Sequence, residues 1–430
     1  MRHLRAEAAR PLPLTSHPQS SQRDLPLDGL RGLCAALVFY AHAFAPSAAL
    51  DPRWAPPPQF WWLNLGYAAV MMFFVLSGYV IGLTTTGPAT AANTRLYLSR
   101  RALRLLPVNT AAVLLAWVVL PANPVGTVLA NLGFLQNSEA YPGGIIFGLL
   151  PNNTNLWSLN YEVVYYLAFL AWWRWSPRPA WVWSALALLA LAAPAGMPVT
   201  AQISHYACGG LYWFAGLAIA RQTSPVAMGA AKRGNWPAVF LGLYALWALA
   251  PFRHLTVSFE WYPLIGLTPA SIHRLDFLLG CVWCLLAVSG RAPSLQRWFA
   301  LLTLGWSTIG LFITYAIEPF SATDWLAAAA LAAAWLLLRW IPEAKLLARL
   351  APLGAVSFGI YAFALPIQFA QQKLFPDFSG SPLTFGIRLA VLGLLTVGLA
   401  WIVERKLTPW LRRRLLRPSG APAIVGERTA

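Results

Sequence analysis

Very little of this chain is charged. Asp, Glu, Lys and Arg make up 10% of its 430 residues, while 58% are hydrophobic. Soluble domains carry about a quarter charged residues, so a soluble globular enzyme of this length is excluded. Acidic residues are scarcest, 14 against 31 Lys and Arg. Histidine occurs six times and cysteine four times, which excludes a disulfide-stapled scaffold. Cys281 and Cys284 have C-x-x-C spacing but lie in an apolar run with no second ligand pair nearby, which favours packing over metal chemistry. No metal is expected. A cleavable signal peptide is not evident, because a polar stretch precedes the first apolar run.

What the chain has in quantity is apolar runs. Segments near 27–45, 65–83, 105–120, 157–173, 180–193, 207–220, 236–250, 275–289, 299–317, 325–340, 353–370 and 384–403 read as apolar helices, most of them near bilayer-spanning length. The expected fold is an all-α polytopic membrane protein, a bundle of about 10–12 transmembrane helices with a central polar tunnel. Residues 1–24 are expected to form a disordered cytoplasmic tail, 25–411 the transmembrane domain, and 412–430 a basic cytoplasmic tail. Oligomeric state is not encoded in any visible pattern.

The net charge of +17 raises the question of a polyanionic partner. With the N-terminal tail cytoplasmic, alternation of the spans puts all Lys and Arg inside except Arg53, Arg253, Arg274, Lys373 and Arg388. That asymmetry is the positive-inside rule, and nucleic acid is not needed to explain it. The Arg-over-Lys bias resembles a GC-rich bacterial genome, so the expected location is a bacterial inner membrane with both termini cytoplasmic. The sequon at Asn152 falls in an expected external loop, where glycosylation would then be out of place.

Two expensive residues frame the first run, "RGLCAALVFYAH" from Arg31 to His42. Eleven residues at about 100° each make three turns plus about 20°, so both side chains share a face, about 16 Å apart along the axis. Asp28 lies one turn before Arg31 on nearly the same side. Arg31 could snorkel with Asp28, and a lone His can be a packing hydrogen-bonder. Ionisable residues at membrane depth nonetheless point to function, and about 16 Å matches an extended pantetheine arm. A guanidinium suits its phosphates; an imidazole suits a base near its thioester.

Three further groups draw attention. Arg95, Arg100, Arg101 and Arg104 lie in an expected cytoplasmic loop between the second and third helices, with Arg101 and Arg104 spaced i, i+3 to converge on one anion. "SGY" at 77–79 carries two open readings. Gly78 could allow close helix approach, or it could clear a channel while Ser77 and Tyr79 bond a donor's amides. Glu162 follows "NLWSLN", where Asn155 or Ser158 could cap the helix; with Tyr161, Tyr165 and Tyr166 it makes more polarity than lipid contact warrants. His205, His254, His273, Glu260 and Glu318 read as interfacial, and Glu404 as a local salt bridge with Arg405.

These residues resemble the integral-membrane acyltransferase 3 family. "LDGLRGLCAALVFYAH" is similar to its opening motif, an Arg followed by ten residues and a His. "FFVLSGYVIG" at 73–82, "YLSRRALRLLP" at 97–107, "LWSLNYEVVYY" at 156–166, "LGAVSFGIYAFALPI" at 353–367 and "WIVERKLTPWL" at 401–411 continue the likeness in chain order. The sequence departs from the family where Ala364 stands in place of a frequent His and Asn109 in place of a frequent Tyr.

The resemblance implies an O-acyltransferase moving an acyl group, commonly acetyl, from cytoplasmic acyl-CoA to a hydroxyl of a glycan, lipid-linked sugar or small metabolite. His42 would be the base and Glu162 its support or the acceptor's orienter. Arg31, Arg101 and Arg104, with Ser77 and Tyr79, would hold acyl-CoA as a donor substrate and not as a resident cofactor. Trp157, Ser158, Asn160 and Tyr166 would line the acceptor side. The rival is a proton-coupled transporter or flippase of a lipid-linked saccharide, since intramembrane His and Glu serve proton coupling as well.

Overall fold

A computed structural model of the chain describes residues 24–45, 50–136, 147–191, 198–222, 275, 277–290, 345–415 and a few single positions between 294 and 305. Among them no strand forms beyond one isolated bridge, between Gln136 and Phe147. The protein is all-α, and Gly66–Thr84, Ala91–Val119 and Pro382–Leu415 are each long and apolar enough to cross a membrane. The expected helices at 236–250 and 325–340, nearly all of 299–317, and nearly all of both tails lie outside the described residues.

The first helix, α1 (Leu25–Phe44), starts where Asp24 accepts a hydrogen bond from the Leu27 N–H and proline occupies the first turn. Helix α2 (Gly66–Thr84) packs on it, with Gly66 against Ala41. Helix α3 (Ala91–Val119) is far longer than the run at 105–120. Thr90 caps it by accepting from the Asn93 N–H at 3.3 Å, so the four arginines expected in a loop are helical. Their charge lowers local hydropathy and hides a helix that the cap begins. Pro107 lies inside α3 and removes a backbone donor one turn beyond Leu103.

A short α4 (Val125–Leu132) leads to α5 (Trp157–Trp175), then α6 (Pro179–Leu191) and α7 (Pro198–Gln222). Helix α8 (Leu278–Ser289) buries Cys281 and Cys284 as free thiols beside the equally buried Cys34. Two short turns, Lys345–Arg349 and Ala351–Gly354, precede α9 (Ser357–Leu374) and α10 (Pro382–Trp401). A π-helical turn, Ile402–Leu407, joins α10 to α11 (Thr408–Leu415).

Small residues set the closest contacts. A Cβ on Gly78 would collide with the Trp213 carbonyl of α7, and one on Gly216 with the Val75 carbonyl of α2. Of the two readings of "SGY", close approach therefore describes Gly78. Gly29 and Gly32, on either side of Arg31, pack in the same way on the carbonyls of Leu347 and Leu350.

Asparagine amides tie non-helical backbone to helices. Asn152, the sequon residue, is fully buried, donating to the Ala116 carbonyl at 2.7 Å and accepting from Asn123. Asn153 and Asn155 donate to the carbonyls of Ala362 and Tyr361, each at 3.1 Å. Neither Asn155 nor Ser158 caps α5, which has no side-chain cap.

Beyond the far end of α1, a polar clasp joins the 50–54 loop to the start of α10. Arg388 is buried and donates to the carbonyls of Phe378, Leu50 and Phe375. Asp51 accepts from Thr384 and from the N–H groups of Arg53 and Gly380. Burial works against its ionisation, but these hydrogen bonds and the Arg388 charge outweigh it and hold the carboxyl below the usual range. This stabilisation is complete above the ordinary carboxylate pKa and disappears as pH falls through the lower folded-state value. Asp51→Asn should therefore lower the thermal midpoint at pH 7, with the gap narrowing towards about pH 2–3. An equal deficit at both pH values, measured in detergent, would contradict the ionised clasp.

Candidate functional site

One cavity gathers most of the polar residues singled out above. Its empty volume is about 740 Å³, and Arg31, Ser77, Arg101, Arg104, Ser158, Glu162 and Tyr166 line it, with Ser357 and Tyr361 of α9. Val70, Phe73, Phe74, Val80, Leu105, Leu159 and Phe358 supply its apolar wall.

Three helices present the charges, and α2 adds a hydroxyl. Arg31 comes from α1, held 3.5 Å from Asp28. Arg101 and Arg104 come from one face of α3, a turn apart. Glu162 comes from the second turn of α5 and accepts a hydrogen bond from the Ser77 hydroxyl on α2. Ser77 in turn accepts from the Trp213 indole N–H at 3.3 Å, and Tyr166, one turn beyond Glu162 on α5, lines the same cavity. The sequence pointed to neither Trp213 nor this chain of bonds.

The three guanidiniums are neutralised unequally. Arg104 lies 3.5 Å from Glu404 and over the Phe358 ring at 5.9 Å. Arg101 makes no ion pair among the described residues; it sits between the Tyr97 and Tyr166 rings, 5.7 Å from each centroid. Its buried Nε has no hydrogen-bond partner there. A buried guanidinium N–H without an acceptor is costly, and an anion in the cavity would supply one.

Other expected members stand elsewhere. His42 is half-buried, does not line this cavity, and has no hydrogen bond among the described residues. Because the start of α2 packs beside Ala41, Ser77 lies about 16 Å further along the α1 axis, level with Arg31. Glu162, bonded to Ser77, is at that level too, and not beside His42. Tyr79 is buried outside the cavity lining. Trp157 joins an aromatic group with Tyr67, Phe74 and Tyr161. The Asn160 amide donates to the Phe134 carbonyl and accepts from Tyr206. Ser158 does line the cavity and shares a 2.8 Å hydrogen bond with Tyr361.

Sequence reasoning passed over Ser357, Phe358 and Tyr361. Two hydroxyls spaced i, i+4 in the apolar stretch "SFGIY" were the available signal.

Ser77→Ala would leave the buried Trp213 N–H without its acceptor. The thermal midpoint in detergent should fall by the equivalent of about 1–3 kcal/mol. A midpoint equal to wild type would show that this bond contributes nothing.

A family model described as an acyltransferase domain, that of the acyltransferase 3 family, matches residues 25–317, more than half of the chain. No curated protein and no solved structure gives a significant match. Arg31, His42, Ser77, Arg101, Arg104 and Glu162 fall inside the matched stretch; Ser357, Phe358, Tyr361 and Glu404 fall beyond it.

Proposed function

Because this chain belongs to the acyltransferase 3 family, we propose that it is an O-acyltransferase drawing on acyl-CoA, acetyl-CoA for preference. The acceptor is a hydroxyl on a glycan, a lipid-linked sugar or a small metabolite. The observation that carries this reading is the convergence of Arg31, Arg101 and Arg104 on one cavity, with no carboxylate paired to Arg101 among the described residues. Planar, permanently charged forks are the groups that best recognise phosphates. The Arg31 end of α1 then faces the cytoplasm of a bacterial inner membrane, in keeping with cytoplasmic termini and the positive-inside distribution.

With phosphates at these arginines, the pantetheine arm extends along α1 towards His42, about 16 Å away. There the acceptor oxygen attacks the thioester carbonyl carbon. His42 takes the hydroxyl proton, the carbon–sulfur bond breaks, and the departing thiolate is protonated. Ser77, Tyr166 and Glu162 order the donor wall near the phosphates. Ser158 and Trp157 lie towards the acceptor side, at the opposite end of α5 from its exit. Tyr79 and Asn160 serve as supporting groups, since both are buried outside the cavity lining.

Membranes carrying the protein should consume labelled acetyl-CoA in the presence of cell-envelope glycans. His42→Ala should reduce this by about 100-fold or more at equal amounts of folded protein. A transporter would move saccharide with no loss of thioester, and that outcome would overturn the proposal.

Arg101→Ala should raise the KM for acetyl-CoA much more than it lowers kcat, by about tenfold or more. Equal effects on both constants would remove the phosphate role.

A further inference from the structure

Glu404 lies outside the cavity lining yet touches one of its cations. It sits in the π-helical turn Ile402–Leu407, a rare geometry frequent at functional sites. Its side chain is 7% exposed, whereas neighbouring Arg405 and Lys406 are exposed. The adjacent Arg405 is not its partner. Instead, one carboxylate oxygen accepts the Gly359 N–H at 2.6 Å, and the other lies 3.5 Å from Arg104 Nη1. Gly359 packs so closely that a Cβ there would lie 2.5 Å from the Ala400 Cβ and 3.2 Å from the carboxylate. Phe358, the residue before it, lies under the Arg104 guanidinium and lines the cavity. The carboxylate is thus fixed to backbone at one end and aimed at a cavity arginine at the other.

We propose that Glu404 is a positioning residue for the donor's phosphates, acting through Arg104. The Arg104 side chain is 42% exposed, and a long exposed arginine loses rotamer freedom when it grips a ligand. Held by Glu404 and stacked on Phe358, it is ordered before the donor arrives. Only a carboxylate can do this, because it accepts from both partners. A glutamine that accepts the Gly359 N–H must turn its NH2 group towards the guanidinium, setting donor against donor. This inference rests on the acyl-CoA reading above.

Kinetics in membranes, with each variant required to run as a monodisperse peak after extraction, provide the test. Glu404→Gln should raise the KM for acetyl-CoA about five- to tenfold and leave kcat within about twofold. With an acetyl-pantetheine donor, which has no phosphates, Glu404→Gln and wild type should behave alike. In an Arg104→Ala background the Glu404→Gln change should add almost nothing, since the two act as one unit. Glu404→Asp keeps the charge but is one methylene too short to reach both partners. It should raise the acetyl-CoA KM in the same direction by a smaller factor, and it serves where the glutamine variant does not accumulate. An unchanged or lowered acetyl-CoA KM, equal loss with both donors, or effects that multiply in the double variant would each overturn the role of Glu404. Absence of turnover in the wild type would instead overturn the acyltransferase reading on which it rests.

Discussion

The structure depends on keeping three guanidiniums together inside an apolar helical bundle. A cation drawn out of water must recover its hydration from protein groups, at a cost of several kcal/mol for a fully buried ion that does not. Arg104 stays 42% exposed, so the demand is greatest at the buried Nε of Arg101. Arg31 recovers part from Asp28, Arg104 from Glu404 and the Phe358 face, and Arg101 from two tyrosine rings. Glu162 supplies a carboxylate within electrostatic reach of Arg101 and Arg104. Both ion pairs are loose, at 3.5 Å, and the buried Nε of Arg101 is unsatisfied among the described residues. A cluster held this incompletely is better suited to receiving an anion than to holding helices together.

The helices that carry these charges are positioned by contacts with little chemistry of their own. Gly29 and Gly32 seat α1 on the backbone of Leu347 and Leu350, and Gly78 and Gly216 seat α2 and α7 on each other. Buried asparagines do the complementary task. Where the chain leaves helical geometry before α5, the amides of Asn152, Asn153 and Asn155 reach carbonyls of α3 and α9. These bonds fix the start of α5 and thereby the depth of Glu162, two turns later. Site geometry thus follows from small residues that allow close approach and from amides that hydrogen-bond between segments.

Local patterns in the sequence were legible and distant ones were not. The apolar runs gave α1, α2, α5 and α9 to within a few residues, because burial of a continuous apolar stretch dominates their energetics. The i, i+3 spacing of Arg101 and Arg104 and the depth of Arg31 likewise point to three residues that line one cavity. The arginine segment reads as a loop because its charges mask a helix that Thr90 caps. Glu404 was paired with its neighbour Arg405, whereas its partner Arg104 lies 300 positions earlier. No periodicity encodes such a pair. For Glu162 the sequence leaves open support of His42 or orientation of the acceptor; depth along α5 does not specify which helix it faces, and it meets Ser77 on α2.

That last contact bears on mechanism. A serine hydroxyl donating to a buried carboxylate has the outward form of a nucleophile and its base, and a covalent acyl-serine could be read from it. The levels of the groups argue otherwise. Ser77 and Glu162 lie level with Arg31, beside the cations that suit the donor's phosphates. In the proposed orientation the pantetheine arm would extend along α1 towards His42, which lies about 16 Å from Arg31 along the helix axis. For Ser77 to reach the thioester carbon the donor would have to sit with its phosphates well outside the arginine cluster, leaving the unsatisfied Arg101 N–H without an acceptor. On the proposed acyl-CoA reading, a donor whose phosphates meet these three cations would have Ser77 and Glu162 in its wall, with the acyl group proposed to transfer near His42.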